Sequence, residues 1–182
     1  MSPIHAAAPF GYVNYNCPGC GLRWLRLNVV VIEIGEADFE DRGLVVFLEE
    51  HLDDIAPTAP HESQHALDVN ALRDPSVRLW VAREGGRTVG TVALVGLSEG
   101  HEELKSMRTA PARRGAGIAS QMLEHALRDA RGRGVRRVSL ETGSMDFFAP
   151  ARAFYRRAGF VDCSPFGGYG ADPNSVFMTL EL

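Results

Sequence analysis

The sequence predicts a mixed α/β domain organised on a central sheet. Three observations carry that expectation. β-branched runs at residues 29–34 (VVVIEI) and 175–182 (SVFMTLEL) bracket segments whose apolar residues recur at helical spacing. Residues 101–123 (HEELKSMRTAPARRGAGIASQML) read as a strand, a short basic glycine-rich turn and an amphipathic helix in direct succession. Residues 135–142 (VRRVSLET) then return as a strand, and such a β–α–β step implies parallel pairing nearby.

Taken in order, residues 1–27 are rich in Pro, Gly, Asn and aromatic residues and carry no period. They read as an N-terminal extension, either flexible or lying upstream of the true start, with the domain at 28–182. The strand at 29–34 is followed by a helix over 36–55, on the stripe Phe39, Leu44, Val45, Leu48 and Leu52, ended by Pro57 and Pro60. A shorter helix is expected over 61–72, stopped by Asp74-Pro75. Strands at 77–83 and 88–97 flank Glu84-Gly85-Gly86-Arg87, a hairpin turn. The next strand, 103–109, stops at Pro111. Ile118, Met122, Leu123, Ala126, Leu127 and Ala130 mark a helix running to about Arg131, ended by Gly132 and Gly134. Beyond the 135–142 strand, a helix over 150–158 opens on Pro150 and closes at Gly159. A strand or loop from Val161 and the strand at 175–182 complete the sheet.

Composition narrows the function. A chain of 182 residues with 45% hydrophobic and 23% charged residues fits one globular domain. No apolar run approaches the ~20 residues that span a bilayer, and the N-terminus lacks the basic start and apolar core of a secretory signal. Three cysteines, an odd number, argue against a disulfide framework. The cytoplasm is the expected compartment, with no membrane partner. Net charge is −4, so nucleic acid is an unsuitable partner. Charge is nevertheless uneven. Residues 36–68 hold ten acidic residues against Arg42, whereas 113–137 hold seven arginines against Glu124 and Asp129. A basic end suits a polyanionic cofactor and an acidic end suits a cationic acceptor. A homodimer is compatible with a chain of this size.

The turn at 111–117 is an anion cradle. A helix N-terminus offers unpaired N–H groups and the positive end of the helix dipole. Gly115 and Gly117 keep side chains away from an approaching anion, and Arg113 and Arg114 add charge. The ligand is most naturally a phosphate or pyrophosphate. No Lys-Ser/Thr follows the glycines, which excludes a Walker-type loop, and Ser120 stands where a dinucleotide loop needs its third small residue.

Arg114-x-x-Gly117-x-Ala119 resembles the R/Q-x-x-G-x-G/A signature of the GNAT superfamily of acyl-CoA-dependent N-acyltransferases. A second stretch, Ala151 with Phe154-Tyr155-Arg156-Arg157-Ala158-Gly159-Phe160, resembles the helix end of the same family. The resemblance covers nearly all of 29–182. It implies a GNAT fold with splayed central strands, 103–109 leaving 138–142, and the pantetheine arm of acetyl-CoA in the gap. It implies that Arg114, Gly115, Ala116, Gly117, Ile118, Ala119 and Ser120, with Thr109, hold the cofactor, and that Met107 N–H meets the thioester carbonyl. Tyr155 would protonate the departing thiolate. Glu103, with Glu141 as the second candidate, would take the proton of a small-molecule or peptide amine; the alternative for Glu103 is a structural glutamate paired with Lys105 or an arginine. Acyl transfer would proceed by direct attack in a ternary complex. Phe147-Phe148-Ala149 departs from the family pattern where an asparagine often stands, which puts one polar contact near the sulfur in question. A non-catalytic acyl-CoA sensor of the same fold is the alternative.

Two further motifs compete. His61-Glu62-Ser63-Gln64-His65 spells the zinc-peptidase H-E-x-x-H. Pro60 puts it on the first turn of a short helix, and no third ligand follows, so a metal is not expected. Within the resemblance, that helix borders the acceptor pocket and His65 could touch substrate. Cys17-Pro-Gly-Cys20 lacks both the further ligands of a zinc site and the strand–helix context of a redox pair.

Overall fold

The structure, a computed structural model, describes residues 31–58, 60 and 65–182. The extension with Cys17 and Cys20, and the segment 61–64 that opens the H-E-x-x-H motif, lie outside the described residues. Seven strands form one mixed sheet: β1 (Ile32–Glu36), β2 (Val77–Glu84), β3 (Arg87–Ser98), β4 (His101–Thr109), β5 (Arg137–Gly143), β6 (Val161–Asp162) and β7 (Ser175–Glu181). Their spatial order is β1-β2-β3-β4-β5-β7-β6. Four helices accompany them: α1 (Arg42–Ile55), α2 (Val69–Leu72), α3 (Ile118–Gly132) and α4 (Ala149–Arg157). The architecture is the mixed α/β arrangement that the sequence predicts, with the same element order.

Boundaries shift for local reasons. Glu36 belongs to β1, and α1 starts only after Asp41, whose carboxylate accepts the Gly43 N–H at 2.8 Å as an N-cap. The helix expected over 61–72 is corrected. Residues 65–68 are irregular, and only Val69–Leu72 is helical, opened by Asp68 accepting the Ala71 N–H at 2.7 Å. Asp68 competes for the backbone and restarts the chain there. The β2–β3 turn carries Gly85 and Gly86 at φ of 54° and 80°, the left-handed pair that a tight hairpin needs.

The pleat sends alternate residues to opposite faces. Leu79, Val81 and Ala93 pack with Leu44, Leu48 and Leu72 of α1 and α2. Trp80, Ala82, Val92 and Leu94 pack with Ile118, Met122, Leu123, Ala126, Leu127 and Ala130 of α3, and the same cluster continues to Tyr155 and Phe160. Those α3 residues are the stripe read from the sequence. Truncating fully buried Met122 to Ala would cost about 2–5 kcal/mol.

The strand that matters most is β4. It is antiparallel to β3 but parallel to β5, and pairs with β5 only at His101–Arg137, Glu102–Val138 and Glu103–Ser139. Beyond Glu103 the two strands part. The cause is a bulge: from Thr91 to Ala93 on β3 the partners run from Arg108 to Lys105, one residue too many. Ser106 absorbs the excess at φ 50°, and buried Thr91 donates its hydroxyl to the Ser106 carbonyl at 2.8 Å. Such a bulge bends and twists its strand, which opens the gap. The expected splay is therefore present.

Candidate active site

Three constructions meet around that gap. The first is the turn between β4 and α3. Pro111–Arg113 forms a short 3-10 turn, and Gly115 and Gly117 follow at φ 80° and 79°. A Cβ on either would meet no protein atom within 4 Å, so the glycines answer a conformational demand rather than crowding within the protein. The helical ladder begins with Gln121 N–H to the Gly117 carbonyl at 3.2 Å. The N–H groups of Ile118, Ala119 and Ser120 therefore have no carbonyl of their own helix to bond. Arg113 is tied to Glu84 at 2.5 Å, whereas Arg114 is exposed and in no ion pair with any described residue. The turn can hold a polyphosphate.

The second construction is the end of α4. Phe160 N–H bonds the Tyr155 carbonyl and Gly159 N–H bonds the Arg156 carbonyl, each at 3.1 Å, with Gly159 at φ 97°. This pair of bonds is a Schellman cap. It drives the Phe160 ring back onto Tyr155, at 5.6 Å between centroids. Both side chains are buried. Burial pushes the Tyr155 phenol above its ordinary pKa, so it stays protonated at neutral pH. It makes no hydrogen bond with a described residue.

The third is a cavity of about 150 Å³ between β4 and β5, past their last paired residues. Leu104, Lys105, Ser106 and Met107 line it from β4; Glu141, Thr142 and Gly143 line it from β5. Ala151 and Tyr155 close one side, and His51, Ile55, His65 and Ala66 close another. Phe148 lies so close over Gly143 that a Cβ there would sit 2.2 Å from the ring. That contact fills the place where the family pattern often has asparagine. Burial raises the Glu141 carboxyl, against the lowering charges of His65 and Lys105. Burial, with help from nearby Arg108, depresses the His51 imidazole to about 4. It is neutral at physiological pH.

Residues 44–160 match the Acetyltransferase (GNAT) family. The chain is 46% identical over 145 residues to the uncharacterized N-acetyltransferase YsnE of Bacillus subtilis, across 80% of this chain and 96% of that one. It belongs to the GNAT family of acetyltransferases. It is also 40% identical over 140 residues to an IAA acetyltransferase of Azospirillum brasilense, across 76% of this chain and 88% of the relative. The fold superimposes on PaiA N-acetyltransferase of Thermoplasma acidophilum in complex with coenzyme A, at TM-score 0.66 and 17% identity, over 84% of this chain and 99% of that one. The resemblance read from Arg114–Ala119 and Tyr155–Phe160 and the family match agree.

The sequence-predicted residues of this GNAT domain fall in two groups. Met107, Glu141, His65 and Tyr155 come together on the cavity wall, while Thr109 and Arg114 to Ser120 form the turn beyond it. Glu103 stands apart. It is buried, does not line the cavity, and its Oε1 accepts from Lys105 Nζ at 2.9 Å and from the Tyr169 hydroxyl at 2.6 Å. Among the described residues, no cluster of three His, Cys, Asp or Glu could hold a metal.

Sequence reasoning missed four participants. His51 sits four residues from both Phe47 and Ile55 on α1, so helical spacing could have placed it on the inward face. Arg108, buried on β4, donates to the Phe47 carbonyl at 2.6 Å and to Asp54 at 3.0 Å, and holds α1 against the sheet. Lys105 was expected only as an ion-pair partner of Glu103, which it is, and not on the cavity wall. Tyr169 reaches in from the 163–174 loop, and no local pattern announces it.

Proposed function

We propose that the protein transfers an acetyl group from acetyl-CoA to a primary amine by direct attack in a ternary complex. The observation that supports this reading best is the shared cavity. A protonated phenol, a carboxylate and the bulged strand at Met107 line one space, at the end of a gap that leads from the phosphate-binding turn.

The pyrophosphate of acetyl-CoA binds the N–H groups of Ile118, Ala119 and Ser120 and the Gly115–Gly117 turn, with Arg114 alongside. The pantetheine lies between β4 and β5, where neither strand satisfies the other. Met107 N–H donates to the thioester carbonyl oxygen and stabilises the oxyanion. Glu141 takes a proton from the bound ammonium, directly or through water. Its raised pKa makes it the better base of the two candidate glutamates, and Glu103 is engaged by Lys105 and Tyr169. The neutral nitrogen attacks the carbonyl carbon, the C–N bond forms, and the C–S bond breaks on collapse. The nitrogen's second proton leaves to solvent, and Tyr155 donates its phenolic proton to the thiolate and is reprotonated. Three cysteines, an odd number, are consistent with work in the cytoplasm.

The test is release of CoA thiol from acetyl-CoA across a panel of amines. Tyr155→Phe is expected to lower kcat by about 10²–10⁴ and to leave acetyl-CoA affinity within about twofold. Acetyl-CoA binding without thiol release from any amine would turn the reading to a non-catalytic acyl-CoA sensor.

A further inference from the structure

The structure assigns the acceptor a chemical class: a monocation, a primary amine without a carboxylate, whose ammonium is held by Glu141. The chemical step that follows rests on the acyl-transfer reading above, but the binding does not.

The charges on the cavity wall select the acceptor. Among the described residues, two charged side chains face the space, Lys105 and Glu141, with the imidazoles of His51 and His65. Lys105 looks suited to a substrate carboxylate, yet nothing on it is free. An ammonium has three N–H donors, and those of Lys105 have three partners. They are the His65 carbonyl at 3.1 Å, Glu103 Oε1 at 2.9 Å and the Tyr169 hydroxyl at 2.7 Å. Its charge is matched by Glu103, itself buried behind the wall. Arg108 offers no anion site either, because it turns away to Phe47, Asp54 and Glu50.

Glu141 is different. It makes no ion pair with any described residue; burial raises its carboxyl, and the Ser175 side chain and the more distant charges of His65 and Lys105 offset that only in part, so a half-buried carboxylate here gains from a cation of its own. The wall is therefore left with one uncompensated negative charge. A protonated amine neutralises it, whereas the carboxylate of an amino acid would meet hydroxyl and imidazole donors but no free cation among the described residues, and a like charge across the cavity. Ile55, Ala66, Met145 and Phe148 supply apolar surface for the rest of the molecule. The cavity measures about 150 Å³.

The experiment measures equilibrium binding by calorimetry to the full chain saturated with coenzyme A, at about pH 8, where unperturbed imidazoles are neutral and primary amines are charged. The probes are matched sets differing in the carboxylate: isoamylamine against leucinamide and leucine, and phenethylamine against phenylalaninamide and phenylalanine. The amines and amides are expected to bind at least about tenfold tighter than the free amino acids, a difference of about 1.4 kcal/mol. Glu141→Gln is expected to remove that preference while coenzyme A affinity stays unchanged. Lys105→Met with Glu103→Gln, which removes the compensated pair together, is expected to retain it. Free amino acids that bind as tightly as their amides would overturn the inference, as would failure of every amine to bind a protein that still binds coenzyme A. Amines that bind but release no thiol from acetyl-CoA would uphold the assignment and overturn the acyl-transfer reading instead.

Discussion

The proposed donor turn and the proposed acceptor cavity are built by opposite means. The turn is one continuous stretch, from Pro111 to Ser120, and its binding groups are backbone N–H groups freed by a helix start and two left-handed glycines. The cavity draws on α1, the 65–68 segment, β4, β5 and α4, and apart from the Met107 N–H its proposed binding groups are side chains. The one can be specified by a short motif, because a fixed backbone shape recognises a fixed ligand. The other is specified by which distant side chains neutralise one another, and that freedom lets one fold serve many acceptors.

If the two regions are separable, damage to each should appear in a different quantity. On the turn, the largest binding effect belongs to Gly117→Val. A β-branched residue forced to φ 79° costs upwards of about 1–2 kcal/mol, so coenzyme A affinity should fall by tenfold or more. The ranking of amine acceptors should not change. A reordered ranking, measured by thiol release, would break the separation.

The next effect lies on the cavity side, in acid stability. His51 has a folded pKa of about 4 against an ordinary 6.5. Between these values the unfolded chain binds the proton that the folded one refuses. Stability is therefore full above about pH 6.5 and is lost as pH falls toward 4. The loss by pH 4.5 should be roughly 2 kcal/mol. Urea titrations at pH 7.5 and 4.5 should show that extra loss in the wild type relative to His51→Asn. Equal losses in both would mean that His51 is not held neutral by its surroundings.

Tyr169→Phe should have a smaller effect, about 1 kcal/mol in stability, because Glu103 keeps its bond to Lys105. It frees one N–H of Lys105, so discrimination against free amino acids should weaken. Unchanged discrimination would sever the link between the Lys105 network and acceptor choice. Arg114→Ala should do least. An exposed arginine contributes only a few-fold to coenzyme A affinity, and that contribution should shrink as salt is raised.

The same contrast explains what the sequence disclosed. The helical stripe Ile118 to Ala130, the glycine turn and the Gly159-Phe160 cap each follow from residues close together, and all are present. The splay of β4 from β5 came from resemblance alone. Its cause is Ser106, whose left-handed backbone no sequence pattern marks, held by Thr91 fifteen residues away. The division of labour between Glu103 and Glu141 was likewise out of reach. Both are glutamates on neighbouring strands, and what separates them is Tyr169, from a loop 66 residues beyond Glu103. The helix expected over 61–72 failed at Asp68, where a capping side chain outweighed the apolar spacing.

The central claim is that acetyl-CoA is bound for transfer at a cavity holding Tyr155 and Glu141. Its most direct test is single-turnover thiol release from bound acetyl-CoA on mixing with phenethylamine, in the wild type and in Tyr155→Phe. Rapid release is expected in the wild type. In the variant, the rate constant should be lower by about 10²–10⁴ at unchanged acetyl-CoA affinity. Release at the same rate in both proteins would contradict it.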